Sequence, residues 1–425
     1  MSLRGLGARV FASFLRYPKF RLLWISNLFF FCGVWTQTLV LGWLAYDYTG
    51  SAFLLALFGA IRLAPMMLGP VAGVMSDRFH RPRLLMVAAG WSFLAMAVVA
   101  AAVTTGRMSY LGLLLGGLCV GIAHSPSQPA RATLVMDLVA PEDLSNANSL
   151  NSIVINMTQV LGPAAGGVLI GAVGAGGALW ISSFWFLVSC LTLWPLRRHG
   201  RRASVAARES FGASLLQGLR AARHSRLVAA ALAVTLGANL TLWPIYQSFM
   251  PVFATRLELD ATGLGWLMAC GGLGGLAGSL VIAGLGDFRR KGALFVFGTM
   301  TWASFWMLFS LSRFAPLSFV LLIGVGLASA AFGILQTTLL LMMSRQELRG
   351  RMLGLQELAI GAQPLATVLL GAGAEYLGVP AMTFVGALSL LIFLVLLARF
   401  VPDLVRYTGG TAMAGGHPSE SSLRS

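Results

Sequence analysis

Charge is scarce in this chain of 425 residues: Asp, Glu, Lys and Arg make up 10% of it, where soluble domains carry about a quarter. Hydrophobic residues make up 57%. So few charges cannot cover that much apolar area in water, which excludes an ordinary soluble fold and leaves the bilayer as solvent. Acids are rarest, 14 against 30 Lys and Arg, and only Lys19 and Lys291 are lysines. The formal charge of +16 does not point to nucleic acid, because the basic residues punctuate apolar runs and form no patch. Cys32, Cys119, Cys190 and Cys270 lie inside apolar runs with no CxxC or Cys/His spacing, so neither a disulfide framework nor a metal site is indicated. GxxxxGK[ST], HExxH and GxSxG are also missing, so nothing points to ATP hydrolysis, to an enzyme or to a cofactor.

Long apolar runs are abundant. A helix needs about 20 mostly apolar residues to cross a bilayer. Twelve stretches qualify: 22–46, 53–75, 84–104, 109–127, 147–171, 178–196, 227–249, 263–284, 294–312, 317–341, 352–374 and 380–400. The first follows basic residues, as in a signal peptide, but it is too long for one and lacks a small-x-small cleavage site, so it reads as an uncleaved span. With the N-terminus in the cytoplasm, every Lys and Arg except Arg62, Arg107, Arg256 and Arg313 falls on the cytoplasmic side. An even number of spans returns the C-terminus there too. The chain therefore divides into a cytoplasmic segment 1–21, a six-helix bundle 22–196, a basic linker 197–226, a second six-helix bundle 227–400 and a flexible tail 401–425. Within the linker, Phe211, Leu215, Leu216 and Leu219 fall at helical spacing, as in an amphipathic helix on an anionic membrane surface.

Six spans plus six invites a search for duplication. Gly73, Asp77, Arg78, Arg81 and Arg83 follow span 2, and Gly284, Asp287, Arg290 and Lys291 follow span 8. Asp77 and Asp287 lie 210 positions apart, close to half the chain. Pro141 to Asn148 after span 4 is matched by Gln346 to Arg351 after span 10. The segment Gly73-x-x-x-Asp77-Arg78-x-x-Arg81-x-Arg83 resembles the signature of the major facilitator superfamily between helices 2 and 3. Gly162-Pro163-x-x-Gly166-Gly167 in span 5 is similar to the helix motif of its exporters and antiporters. Further segments, among them 20–24, 37–43, 62–65, 125–131, 141–150 and 347–351, resemble the enterobactin-exporter-like, or transmembrane secretion effector, branch. The resemblance implies an all-α membrane protein with twelve transmembrane helices in two pseudo-symmetric six-helix bundles, the major facilitator fold. It also implies a monomer in the bacterial inner membrane, exporting an amphiphilic small molecule, usually against protons. Asp77, Asp287 and the arginines near them, including Arg290, Arg349 and Arg351, would then gate by making a charge network in one state and breaking it in another.

Charge deep in a span is costly and hence informative. Arg62 lies about 18 Å below the turn near Gly50 at the usual helical rise. At similar depth stand Gln37, Thr158 or Gln159, Asn239 and Gln363, a polar layer on helices that border the cavity in superfamily folds. Arg62 reads either as a cation for an anionic substrate or as a structural arginine bonded to helix carbonyls or Gln37. For a coupling proton the candidate carboxylates are Asp47, at the cavity mouth, and Glu357 on span 11; either can instead be a solvated rim acid. An importer or lipid flippase on the same fold stays open, as do a membrane enzyme and a sensor.

Overall fold

The computed structural model describes residues 12–68, 79–198, 219–220, 222–285, 288–344 and 348–408. Gly73, Asp77, Arg78 and Asp287 lie outside them, as do residues 409–425 and most of the 197–226 linker.

The described chain is helical. The membrane-crossing elements are α1 (Pro18–Thr49), α2 (Ala52–Leu63, continued by a 3₁₀ turn, Ala64–Leu68), α3 (Arg81–Thr104) and α4 (Tyr110–Leu138). A single run, Leu144–Leu193, holds the fifth and sixth spans. Gly174 divides it with φ 74° and ψ 170°, a left-handed backbone that glycine adopts without penalty, giving α5 (144–173) and α6 (175–193). The second half comprises α7 (Arg226–Arg256), α8 (Ala261–Gly284), α9 (Lys291–Leu311), α10 (Ala315–Met343), α11 (Arg349–Leu377) and α12 (Val379–Phe400). Ten helices among the described residues are long and apolar enough to cross a membrane, and the Leu144–Leu193 run takes the place of two expected spans. The described part of span 2 is the shorter apolar helix Ala52–Leu68.

Helix starts follow local chemistry. Ser51, Ser109 and Asp260 accept hydrogen bonds from the backbone N–H three residues on, at 3.2, 3.2 and 2.7 Å, satisfying donors that a helix leaves orphaned. The helices bury one face against each other and present leucine, valine and phenylalanine on the other; Val87, Leu94, Val98, Leu369 and Phe400 are all exposed. Apolar residues on both faces suit a helix with protein on one side and lipid on the other.

Two bundles result, α1–α6 and α7–α12. In the first, α1 packs along the α5–α6 run and α3 packs against that run and α4; in the second, α8 and α9 pack on α10. Between the bundles, α5 meets α8 and α2 meets α11. At the first contact the backbones nearly touch: a Cβ added to Gly167 would stand 2.6 Å from the Ala261 carbonyl oxygen and 2.9 Å from Gly265 Cα. Small residues permit this approach where lipid gives helices no hydrophobic reason to associate.

The described structure moves one boundary with chemical consequences. The sequence reading ends span 4 at 127 and puts Arg131 in a cytoplasmic connection. Instead α4 runs on through Pro126 and Pro129 to Leu138, and Arg131 is buried within it, 2% exposed.

Candidate functional site

A cavity of 170 Å³ lies among α1, α2, α4, α5 and α7. Its wall is formed by Phe31, Val34, Trp35, Gln37 and Thr38 of α1, Arg62, Leu63 and Met66 from the second span, Val120, Gly121, His124 and Gln128 of α4, and Ile155 and Gln159 of α5. Gln247 of α7 is the contribution of the second bundle. It stands in a π-helical segment, Ile245–Phe249, which interrupts α7 at the depth of the cavity. Such interruptions re-aim side chains and recur at functional positions.

Arg62 is 7% exposed and donates from Nη1 to Thr38 Oγ1 at 2.8 Å and from Nη2 to Gln247 Oε1 at 3.3 Å. The second bond joins the two bundles. Gln37, one partner expected from sequence, lines the same cavity but does not bond Arg62 in the described structure, and its Oε1 is buried without a hydrogen bond. Gln159 lines the cavity as expected. Asn239 and Gln363 are brought together elsewhere: Gln363 Nε2 donates to Asn239 Oδ1 at 2.7 Å, and both are buried. The expected polar layer is thus split between a cavity wall and a bridge from α7 to α11. That bridge lies beside a second interruption, at Ala362, where α11 breaks between Arg349–Gly361 and Gln363–Leu377. Asp47 and Glu357 are both exposed and neither lines the cavity.

Towards the end of the bundle opposite the chain termini, the two halves are in contact. Glu375 of α11 accepts at Oε2 from Ser51 Oγ and from Phe53 N, both at 3.1 Å, so the carboxylate of one bundle caps the first turn of α2 in the other. Nearby, Thr262 of α8 donates to the Gly167 carbonyl at 3.3 Å. The α5–α8 contact reaches down to Gln159 and Gly272. Beyond that level, towards the termini, Ser149 and Ser152 of α5 and Leu280 and Val281 of α8 are exposed.

The terminal end carries the described charge pairs. Arg81, at the start of α3, pairs with Asp137 near the end of α4 at 2.6 Å. Arg83 Nε donates to the Arg197 carbonyl at 3.4 Å, and Arg349 Nε to the Leu341 carbonyl at 3.2 Å. Burial, and then the charge of Arg83, hold His80 below the usual imidazole range. Asp143 accepts from Arg16 and from the Tyr17 hydroxyl, both at 2.9 Å, and that second bond pushes the Tyr17 phenol up. The Gly162–Gly167 segment of α5 faces two ways. Thr36 of α1 donates to the Gly162 carbonyl at 2.7 Å and Gly166 packs on Thr36, whereas Gly167 and the Pro163 carbonyl face α8.

The sequence profile of the transmembrane secretion effector family, a branch of the major facilitator superfamily, matches residues 10–406. The chain belongs to that family. Relatives include the multidrug efflux pump Tap of Mycolicibacterium fortuitum, 28% identical over 376 residues, covering 85% of this chain and 90% of that protein. The enterobactin exporter EntS of Shigella boydii serotype 4 (strain Sb227) is 27% identical over 362 residues, covering 84% and 86%. Among solved structures, a D-xylose-proton symporter superposes with a TM-score of 0.69 at 14% identity, over 92% of this chain and all of that one. An inward-facing bacterial homologue of the lysosomal transporter Spinster gives 0.66 at 14%, over 91% and 96%. At such identity the structures speak for the fold alone.

Within this family fold, several residues at the site are only faintly marked in the sequence. Gln247 falls within the apolar span 227–249, and the mark of the π segment that turns it towards Arg62 is the pair of flanking prolines, Pro244 and Pro251. Asp137 left a signal: an acid in the last turn of a helix opposes the macrodipole and so calls for a basic partner. His124 is marked as a histidine within an apolar run, as unusual there as Arg62.

Proposed function

We propose that this chain is a secondary active transporter that exports an amphiphilic small molecule from a bacterial cell by alternating access, with protons moving inwards as the driving flux. The observation that carries the reading is the Arg62 cavity. It lies among helices of both bundles, it takes Gln247 from the second, and α5 and α8 touch on one side of it while both carry exposed residues on the other. The loop charges support cytoplasmic termini; with that orientation the exposed side faces inwards, the state that loads an exporter. The efflux pump and the exporter among its relatives support the outward direction.

Accumulation of candidate compounds in cells with and without the protein, with and without an uncoupler, tests this. Lower accumulation with the protein, restored by the uncoupler, is expected. Higher accumulation establishes an importer. No effect on any compound, in a protein shown to be inserted, overturns transport altogether. For the coupling proton, Asp47→Asn and Glu357→Gln are the informative substitutions: the coupling acid is the one whose neutral isostere still exchanges cargo but no longer responds to the uncoupler.

The gate at the terminal end is part of the same proposal, with Asp77, Arg78, Arg81 and Arg83 in one half and Asp287, Arg290, Arg349 and Arg351 in the other. Asp77→Ala is expected to abolish transport while the protein remains inserted at normal level. Full activity in that variant removes the latch.

A further inference from the structure

The cavity wall and the helices behind it hold two buried arginines and a histidine, and none of the three has a carboxylate partner among the described residues. Arg62 bonds to Thr38 and Gln247, both neutral. Arg131 donates to Ser26 Oγ at 3.2 Å and to Asn27 Oδ1 at 2.5 Å, also neutral, and its guanidinium lies 4.1 Å over the Phe30 ring. His124 stacks on Phe30, at 6.2 Å and 5° between planes. One ring thus links His124 to Arg131, two helical turns apart on α4. Hydrogen-bonding capacity is left over: the Nε and Nη2 donors of Arg131 make no hydrogen bond in the described structure, and Nδ1 of His124, a donor in one tautomer, is buried without a partner. The described ion pairs, Arg16–Asp143 and Arg81–Asp137, are at the terminal end, and no acid lines the cavity.

Guanidinium groups stay protonated at neutral pH. Two of them held inside a membrane protein without counter-charge create a strongly positive region, which neutral acceptors and one aromatic face offset only in part. A cationic cargo would enter against that potential; an anionic one completes it. The wall combines an apolar and aromatic part, Phe31, Val34, Trp35 and Ile155, with the neutral amides Gln37, Gln128, Gln159 and Gln247. At 170 Å³ the cavity is below the usual range for whole drug-sized ligands, about 300–1,000 Å³, so it suits a head group. Gln128, exposed on the same wall, marks the side by which the remainder of the molecule extends.

We infer that the cargo is an amphiphilic organic anion whose acid group is held by Arg62 and His124, with Arg131 behind Phe30 adding its charge. This rests on the transporter reading above and names the class of molecule carried. The acid is either that of a free organic molecule or the phosphate of a lipid head group, since the same donors recognise both.

The test is equilibrium binding to the purified full-length protein in neutral detergent, without a gradient. The probes are radiolabelled 2-naphthoate, its neutral isostere 2-naphthamide, 2-naphthylmethylammonium and lysophosphatidate. Saturable binding of an acid at least about tenfold tighter than the amide, with the ammonium weakest, is expected, as one to two charge-assisted hydrogen bonds provide. Binding of naphthoate identifies a free acid, and binding of lysophosphatidate alone identifies a lipid head group; both support the site. Equal binding of acid, amide and ammonium, or no saturable binding of either acid, overturns it. Arg62→Gln and His124→Leu are each expected to bring the acid's affinity down to that of the amide, whereas Arg62→Lys keeps a preference for the acid. All variants are compared as monodisperse protein on gel filtration. An undiminished preference in Arg62→Gln also overturns the inference. Because no gradient is involved, a failed export assay leaves this result standing, and successful export does not rescue a cavity that ignores charge.

Discussion

Asn27 and Ser26 on α1 hold the guanidinium of Arg131 on α4, and Phe30 one turn on covers it. Asn27→Leu removes the shorter of those bonds, and the charge has few substitutes at that depth. A loss of about 1–2 kcal/mol of stability is expected, between the usual value of a charged hydrogen bond and the smaller values measured within membranes. It is read as a lower unfolding temperature of the purified protein; an unchanged temperature means that another group replaces Asn27. Arg62→Ala has a different signature, because Arg62 lines the cavity. Insertion and fold are expected to persist while the rank order of transported compounds changes; unchanged selectivity and pH dependence for a proven cargo reduce Arg62 to a brace between α2 and Gln247. Of these residues only Arg62 was legible in advance, as a charge in the middle of an apolar run. Arg131 was not, because it stands after two prolines that usually close a helix, and a basic residue beyond them reads as a loop.

At the level of elements, the decisive contact is that of α5 on α8. Gly167 and Gly265 let the two backbones meet, and Thr262 adds a hydrogen bond across them. A valine at 167 has no room there, so Gly167→Val is expected to separate the halves at this end and lower transport by at least tenfold, with normal membrane insertion; wild-type transport excludes close α5–α8 contact in the working cycle. Twelve spans and their order could be read from apolar runs because lipid imposes the length of a crossing helix. The interruptions in α7 at 245–249 and in α11 at Ala362 could not. Both adjoin prolines, Pro244 and Pro251 in α7 and Pro364 in α11, which mark a helix that bends but not which way its side chains turn. The pairing of Asn239 with Gln363 was equally hidden, since equal depth does not tell whether two amides face a cavity or each other.

At the scale of the whole molecule, the duplication of charged loops in sequence corresponds to two bundles that share a cavity and touch through α5 on α8 and α2 on α11. A transporter of this kind must exchange that contact for one on the other side in every cycle. The clearest handle is the cap that Glu375 places on α2, because Ser51, Phe53 and Glu375 lie at the surface end of the contact and away from the cavity. In a background with the four native cysteines replaced by alanine, Ser51→Cys and Glu375→Cys are joined by a short bifunctional thiol reagent. The link holds α2 against α11 and so keeps the halves together at the end opposite the termini. Transport is expected to stop on cross-linking and to return when the link is reduced, while each single cysteine variant treated in the same way continues to transport. The cross-linked protein should still bind its cargo from the terminal side, since the Arg62 cavity is unaltered. Undiminished transport with the link in place excludes a cycle in which α2 and α11 part. Loss of both binding and transport means instead that the cap shapes the cavity itself, and that the contact is no gate.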